Sequence, residues 1–495
     1  MHGQSSDWNR RGSKRRRRGI TIIVTAIMLV FVMPMVGLAI DAGLLYAVKA
    51  RLSAASDAAA MAAARSLSLG LTLAEQEASA EARGEAFFRA NFPPGTLGVG
   101  NYTVVVDVQE TQGMVRTVSV DVTADVGLYF MRSLGITNTA VSAIGKASRR
   151  DVNLIMVIDR SGSMNSNGGC TGVKSAAVSF LNMFANGRDR LGMVTYGGSY
   201  KLDYQPNMNF KTSSPTLAGI INNINCTGWT GSAQAFWKGY EQLAGLNEPG
   251  ALNVLLFFTD GRPNVISAEF FVNTAITPKS HCYDFALNKD FTQAGWNPVS
   301  QKYRGWIAGE GSTRDGISQI DASSIPVTND KVKVIKPVGY ENSPVNPPAN
   351  KDCYYRSGNA DVWKDVAWYP NSDLYGNSVF GWKPVQTYTS GPYTGKVMTT
   401  TGNNMAAAAV NAVDNAGQRV RDRVLDPDNA VLVYAIGLGD VGADQHELLR
   451  RISNDSASSI FDSTKPLGMY IFAPTAADLN EAFVRIASEI LRYAQ

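Results

Sequence analysis

The 495-residue chain carries 46 Lys+Arg, 42 Asp+Glu and 45% hydrophobic residues, enough for two or three domains and a large core. Only 18% of residues are charged and the mean hydropathy is −0.10, which excludes a disordered polyelectrolyte and a polytopic membrane protein. The formal charge of +4 is unevenly placed: residues 1–18 hold seven basic residues against Asp7 alone, a net +6, so the rest of the chain sums to −2. No basic surface is left there for gripping nucleic acid.

The basic run 14–18 is followed at once by residues 20–40, which carry no charge. A helix of that length rises ~30 Å, about one hydrocarbon core. Basic residues before it and Asp41 after it predict a single-pass transmembrane helix with a cytoplasmic N-terminus and an exported remainder. A cleaved secretory signal, processed near Gly37-Leu38-Ala39, is the competing reading, although its apolar core is long for that role. All four cysteines, Cys170, Cys226, Cys282 and Cys353, fall in the exported part, and none stands in a CxxC pair. That usage predicts up to two disulfides rather than a zinc site.

Residues 41–92 read as helix. Asp57-Ala-Ala-Ala-Met61-Ala-Ala-Ala-Arg65 is almost pure helix former, Gly70 predicts a break and Phe92-Pro93-Pro94 an end. The alanine stripe suits either a stalk or a surface for another helix. Residues 102–108 and 117–123 alternate as strands about a turn at Gly113, with a short helix expected near 129–134 and a third strand over 140–147. From Asp151 the pattern changes: apolar strand runs at 152–158, 191–196, 252–259, 430–436 and 468–473 alternate with helical stretches at 174–185, 214–223, 232–243, 404–424 and 476–491. This alternation predicts an α/β fold, a doubly wound, mostly parallel sheet covered on both faces. It is interrupted at about 263–401 by a stretch rich in Gly, Pro, Asn, Tyr and Trp, including Trp296, Trp306, Trp363, Trp368 and Trp382. A structureless loop that long does not suit a compact fold, so an inserted, aromatic-packed subdomain is expected. The expected organisation is a cytoplasmic segment (1–19), a transmembrane helix (20–40), a helical stalk (41–95), a small α+β module (96–150) and an α/β domain with insertion (151–495).

The residues that carry chemistry stand at strand ends. The first α/β strand runs into Asp159-Arg160-Ser161-Gly162-Ser163, the 252–259 strand into Thr259-Asp260-Gly261, and Thr230 opens a helix after Gly228-Trp229. Loops at the carboxyl ends of strands converge on one crevice in such folds. Asp159, Ser161, Ser163, Thr230 and Asp260 would there supply two carboxylates and three hydroxyls, a hard oxygen set suited to Mg²⁺ or Mn²⁺, with Ca²⁺ a poorer fit. Two negative charges only balance such an ion, so a carboxylate from a protein partner is the natural further ligand.

These five residues, in this order, resemble the metal-ion-dependent adhesion site of von Willebrand factor A domains. The resemblance covers about 151–262 and 402–495, with Tyr470-Ile-Phe-Ala-Pro-Thr and Asp478-Leu-Asn-Glu-Ala-Phe483 as the closing strand and helix. Two departures stand out: Trp229 replaces a common glycine, and the insertion leaves just after Asp260. The basic start, the single span, Ala39-Ile40-Asp41-Ala-Gly43, Arg51-Leu52 and Ser56-Asp57-Ala-Ala-Ala60 resemble TadE/TadG-type proteins of bacterial Flp (tight-adherence) pilus systems, which often end in a von Willebrand A domain. That likeness implies an inner-membrane protein, mostly periplasmic or extracellular, with pilus or envelope components as partners. Prepilin processing would ask for Glu five residues after Gly19, where Val24 stands. The expected function is non-enzymatic binding in Flp pilus assembly or anchoring; the alternative is a secreted or surface adhesin that binds extracellular ligands without a pilus role. Cys170 follows the first metal loop and Cys226 shortly precedes Thr230, so Cys170–Cys226 and Cys282–Cys353 are the expected disulfides.

Other patterns read more plainly. Gly437-Leu438-Gly439-Asp440-Val441-Gly442, with Asp462 behind it, has dinucleotide spacing, but a tight strand-to-helix turn accounts for it. Asp159 as a phosphoryl acceptor lacks a second Asp at Ser161. Ser161 or Ser163 as nucleophile needs a base, and the only histidines are His2, His281 and His446, the last on a surface helix position.

Overall fold

Residues Arg16–Ser66 form one helix, α1, that runs through Pro34 without a break. Its apolar N-terminal part is long and apolar enough to cross a membrane. The computed structural model describes residues 16–111, 114–248, 250–272, 280–284, 289–291, 302–311, 313–314, 351–355, 366–399, 401–440 and 442–494. The turn at Gly113, Trp296, Trp363, His2, Lys14 and Arg15 lie outside the described residues. The chain divides into two compact units: 1–67 with 77–109 and 117–148, and 68–76 with 110–116 and 149–495.

Helix α1 is followed by α2 (Leu73–Asn91), most of which belongs to the first unit, and the break between them falls at Gly70 with φ +111°, a backbone region that glycine enters without a Cβ penalty. Three strands, β1 (Tyr102–Thr111), β2 (Val115–Gly127) and β3 (Asn138–Arg150), form a sheet in the order β1-β2-β3. Alternate residues of β2 (Val118, Val120, Val122, Ala124, Val126) are buried, the two-residue period expected of a sheet with one covered face. What covers that face is Val48, Leu52, Ala55, Ala59 and Ala60 of α1, with Phe88 of α2 and Phe92 just beyond it. The alanine stripe is therefore consumed within the unit. Contact is close enough that a Cβ on Gly145 of β3 would lie 2.2 Å from the Ser56 carbonyl carbon.

The second unit holds a six-stranded sheet. Its strands are β4 (Val152–Asp159), β5 (Arg190–Tyr196), β6 (Tyr200–Asn207), β7 (Leu252–Thr259), and, beyond the insertion, β15 (Val431–Leu438) and β16 (Met469–Ala473). The order is β16-β15-β7-β4-β5-β6, parallel throughout except for the antiparallel edge strand β6, which the apolar-run reading did not anticipate because its residues are only partly covered. Helices α3 (Gly169–Leu181), α4 (Leu217–Asn222), α5 (Ser232–Ala244), α6 (Gly402–Arg421), α7 (Ala443–Ser453) and α8 (Leu479–Tyr493) complete the layers. Leu154, Met156 and Ile158 of β4 pack with α3 and α8 on one face, while Ile155 and Val157 pack with α5, α6 and α7 on the other. That is the doubly wound arrangement, and it explains why these strands are apolar at nearly every position.

The insertion contributes β8 (Val265–Val272), β9 (Ser280–Asp284), β10 (Lys289–Phe291), β11 (Lys302–Glu310), β12 (Thr313–Arg314), β13 (Lys351–Tyr355) and β14 (Val366–Trp368). These form two further sheets, β12-β11-β8-β14 and β10-β9-β13. Ile266, Ala268 and Phe270 of β8 and Ile307 of β11 pack against Met405, Ala408 and Ala409 of α6. The first part of the insertion thus shares a core with the α/β layers.

Candidate functional site

Strands β4 and β7 are parallel neighbours with Ile158 opposite Phe258. Both therefore release their chains at the same edge, and the loops that begin at Asp159 and Asp260 start side by side. Ser161 N donates to Asp159 Oδ1 at 2.8 Å, which turns the chain back so that the Ser161 and Ser163 hydroxyls lie 3.0 Å apart. Ser163 Oγ donates to Asp260 Oδ1 at 2.8 Å, and Ser161 Oγ lies 3.5 Å from the same oxygen. Thr230 arrives from a third loop. Its N–H donates to Asn264 Oδ1 at 2.8 Å and its carbonyl accepts from Asn264 N at 3.2 Å. A Cβ on Gly261 would lie 3.7 Å from Ser163 Oγ and 3.9 Å from Thr230 Oγ1, so those two hydroxyls flank one point. All five residues are brought together.

Backbone pairing fixes the first and third loops to each other: Gly162 N donates to Gly228 O at 2.8 Å and Thr227 N to Arg160 O at 2.7 Å. Asn165 Nδ2 adds a bond to Cys226 O at 2.8 Å. Cys170 and Cys226 form a disulfide across a sequence separation of 56, as their positions on either side of these loops predict.

Asp159, Ser161 and Thr230 are buried, Asp260 is half-buried and Ser163 is exposed, so the cluster is deep on one side and open on the other. Burial first, then the Asp260 charge, pushes Asp159 up to about 7, against the hydrogen bonds from Thr259 and Ser161. Burial also raises Asp260, with Ser163 opposing. Among the described residues no basic side chain forms an ion pair with either carboxylate; Arg160, the adjacent cation, donates instead to Thr195 Oγ1 at 3.2 Å. Two carboxylates held together without a direct ion pair, Arg160 acting on Asp159 only at a distance, and ringed by hydroxyls, form a donor set that fits a hard divalent cation. Among the described residues no group of three or more His, Cys, Asp or Glu side chains offers a rival metal site.

Two supporting residues were not evident from sequence. Thr259 donates to Asp159 Oδ2 at 2.7 Å, and Asn264 clamps Thr230 while its own carbonyl accepts from Gly309 N at 2.9 Å. Only a position at or just after the end of β7 marked either one. Trp229 is also explained: it packs with Val265, Trp306 and Ala308 of the insertion, and Trp306 fills the space where a Cβ on Gly198 would come within 2.4 Å. A glycine at 229 would leave that apolar patch uncovered.

The glycine-rich run after β15 has structural tasks. A Cβ on Gly437 would meet Leu449 and the Tyr470 hydroxyl at 2.9 Å, and Gly439 turns the chain at φ +73°. Asp462 lies in an irregular loop rather than after a strand, its carboxylate accepting from Thr464 N and Oγ1 at 2.9 and 2.7 Å. His446 is half-buried rather than on the surface, edge-on to Phe472 and hydrogen-bonded to the Tyr470 hydroxyl.

The fold is von Willebrand A-like, and residues 154–262 match the family model of the von Willebrand factor type A domain. Residues 19–66 match a second model, described as putative Flp pilus-assembly TadE/G-like. Both matched families are generally non-enzymatic, and the two together point to a pilus-related adhesion role with protein partners. No curated protein matches the chain. Solved structures similar to it include the PilB minor pilin from Streptococcus sanguinis, 14% identical, covering 80% of this chain and 79% of that one, with a TM-score of 0.33. Another is the vWF domain of the type V pili tip protein Mfa5 from Porphyromonas gingivalis, 15% identical, covering 70% of this chain and 98% of that one, with a TM-score of 0.37. A third is a von Willebrand factor type A protein from Catenulispora acidiphila, 10% identical, covering 79% and 50%, with a TM-score of 0.32.

Proposed function

We propose that this is a single-pass membrane protein, not an enzyme, whose exported α/β domain engages a protein partner through a divalent cation during Flp pilus assembly or anchoring. Residues 20–40 span the bacterial inner membrane with the basic N-terminus in the cytoplasm. The helices of 41–95 and the strands of 96–150 share one core rather than forming a separate stalk and module, and the domain 151–495 would lie outside the membrane. Asp159, Ser161, Ser163, Thr230 and Asp260 would hold Mg²⁺ or Mn²⁺. When bound, such an ion supplies an electrophilic centre for a partner's carboxylate. The protein's own contribution is placement: the deep residues Asp159, Ser161 and Thr230 are locked by Thr259, Asn264 and the loop pairing, while Ser163 and Asp260 face the opening.

The observation that carries this reading is the meeting of two raised carboxylates, neither in a direct ion pair, with three hydroxyls at the carboxyl ends of β4 and β7. Calorimetry of the full chain in detergent tests it. Mg²⁺ and Mn²⁺ should bind the wild type, and Asp159→Ala and Asp260→Ala should each lose that binding. Unchanged affinity in both variants sinks the assignment. In cells, loss of pili on deletion supports the pilus role, whereas normal pili with lost attachment assign the protein to surface adhesion instead.

A further inference from the structure

The loop between β2 and β3 carries an unusual exposed apolar surface: Tyr129 is 70% exposed, Leu134 73%, Phe130 47% and Ile136 45%. Scattered exposed apolar residues are ordinary, but contiguous ones mark a contact surface. Two contacts fix where this one sits. The Asp41 carboxylate accepts from the backbone N–H groups of Tyr129, Phe130 and Met131 at 3.0, 3.0 and 2.8 Å. Phe130 also lies against Gly37 of α1, so closely that a Cβ there would come within 2.6 Å of the ring. Gly37 is the one buried residue of the stretch 21–40, and it is three residues before the apolar run ends.

We propose that the 129–136 loop dips into the lipid surface beside the outer end of the membrane helix, as a second membrane contact of this chain. The proposal rests on residues 20–40 being the span. If they are, Gly37 lies ~4.5 Å inside the outer boundary, and the ring covering it shares that depth. Tyr129 at the rim and the exposed Arg132 match the aromatic and basic residues that favour the interface. The backbone is prepared for such a place, where unpaired N–H groups are costly. Besides the three bonds to Asp41, Leu128 N donates to Thr137 O at 3.0 Å, Ser133 N to Phe130 O and Gly135 N to Arg132 O at 3.1 Å, and Ile136 N to Met131 O at 3.2 Å. Seven amides between Leu128 and Ile136 thus have protein partners, while the apolar side chains stay exposed. A second protein would leave no reason for this surface to sit at the depth of Gly37, and lipid does.

A photo-reactive benzoylphenylalanine placed singly at Phe130, Leu134, Val30 or Met61 tests this in the full chain, reconstituted in phosphatidylethanolamine–phosphatidylglycerol vesicles. Val30 is inside the span and exposed, and Met61 is exposed on the same helix, ~31 Å beyond residue 40. Lipid adducts, read by mass spectrometry, should form at Phe130 and Leu134 at a yield close to that at Val30 and at least about tenfold above Met61. Adducts at Val30 with none at Phe130 or Leu134, or cross-links from those two only to polypeptide, overturn the loop proposal alone. No adducts at Val30 overturn the membrane span, and the loop proposal with it.

Discussion

Ser163 donates to Asp260 Oδ1 at 2.8 Å across 97 residues of sequence, and this bond joins the two loops on which the proposed cation site depends. It does not neutralise Asp260, whose charge still raises Asp159. The pair therefore repels in the absence of metal. Asp260→Asn should leave the metal-free protein as stable as wild type or more stable, by about 1 kcal/mol, and should abolish the gain of roughly 2–3 kcal/mol expected from Mg²⁺ at about a hundred times its Kd. Chemical denaturation with and without Mg²⁺ reads both. A variant that is destabilised equally in the two conditions would mark the pair as ordinary packing.

The Cys170–Cys226 disulfide closes a long loop around the first and third site loops. Replacing both cysteines by serine should cost about 3–4 kcal/mol through the larger entropy of the unfolded chain. It should also weaken Mg²⁺ binding, because Thr230 is held near Ser161 by this bridge and by the Gly162–Gly228 and Thr227–Arg160 pairings. Calorimetry separates the two effects: lower stability with unchanged metal affinity would show that the backbone pairings suffice.

Cys282 and Cys353 stand opposite each other on the antiparallel strands β9 and β13. Directly opposed positions on antiparallel strands are ones between which a disulfide can form. Non-reducing peptide mapping should recover a peptide joined through Cys282 and Cys353, beside one joined through Cys170 and Cys226. Free thiols at 282 and 353, or crossed pairs, would reject it.

Much of the fold was legible because parallel strands covered on both faces are apolar almost throughout. Residues 152–158 and 252–259 announced β4 and β7, and with them the places where Asp159 and Asp260 had to emerge. Strand β6 was hidden because an edge strand with partly covered residues carries no such run. Thr230 could be placed near the site by order, but the groups that hold it could not: Asn264 acts through a backbone geometry set by β8, whose own strand character lay within a segment of weak periodicity. The alanine stripe of α1 could be read as packing, but its partner could not, since a small-residue face fits a sheet as well as a helix.

Trp306 connects the insertion to the site loops through Gly198 and Trp229. Gly198→Ala places a methyl where the indole lies, and overpacking of this kind costs about 1–3 kcal/mol. The loss should appear first as faster proteolysis within the insertion, since α5 and β7 do not depend on this contact. Equal protection of the insertion in variant and wild type would show that Trp306 can shift without releasing β11.

Arg149 and Asp189 form a buried pair at 2.6 Å, and the two partners are unequally supported. Asp189 also accepts from Val152 N at 3.0 Å and Ala185 N at 2.6 Å, whereas Arg149 Nη1 has no partner among the described residues. Removing the cation leaves a carboxylate with two backbone donors still in place. Removing the anion leaves a buried guanidinium and two orphaned amides. Arg149→Met should therefore cost only about 1–2 kcal/mol, near the value of a charged hydrogen bond, while Asp189→Ala should cost about 3–5 kcal/mol. Urea denaturation of the two variants checks the asymmetry. Equal losses would mean that the backbone bonds to Asp189 contribute little, and that the ion pair itself holds the start of β4 to the 185–189 turn.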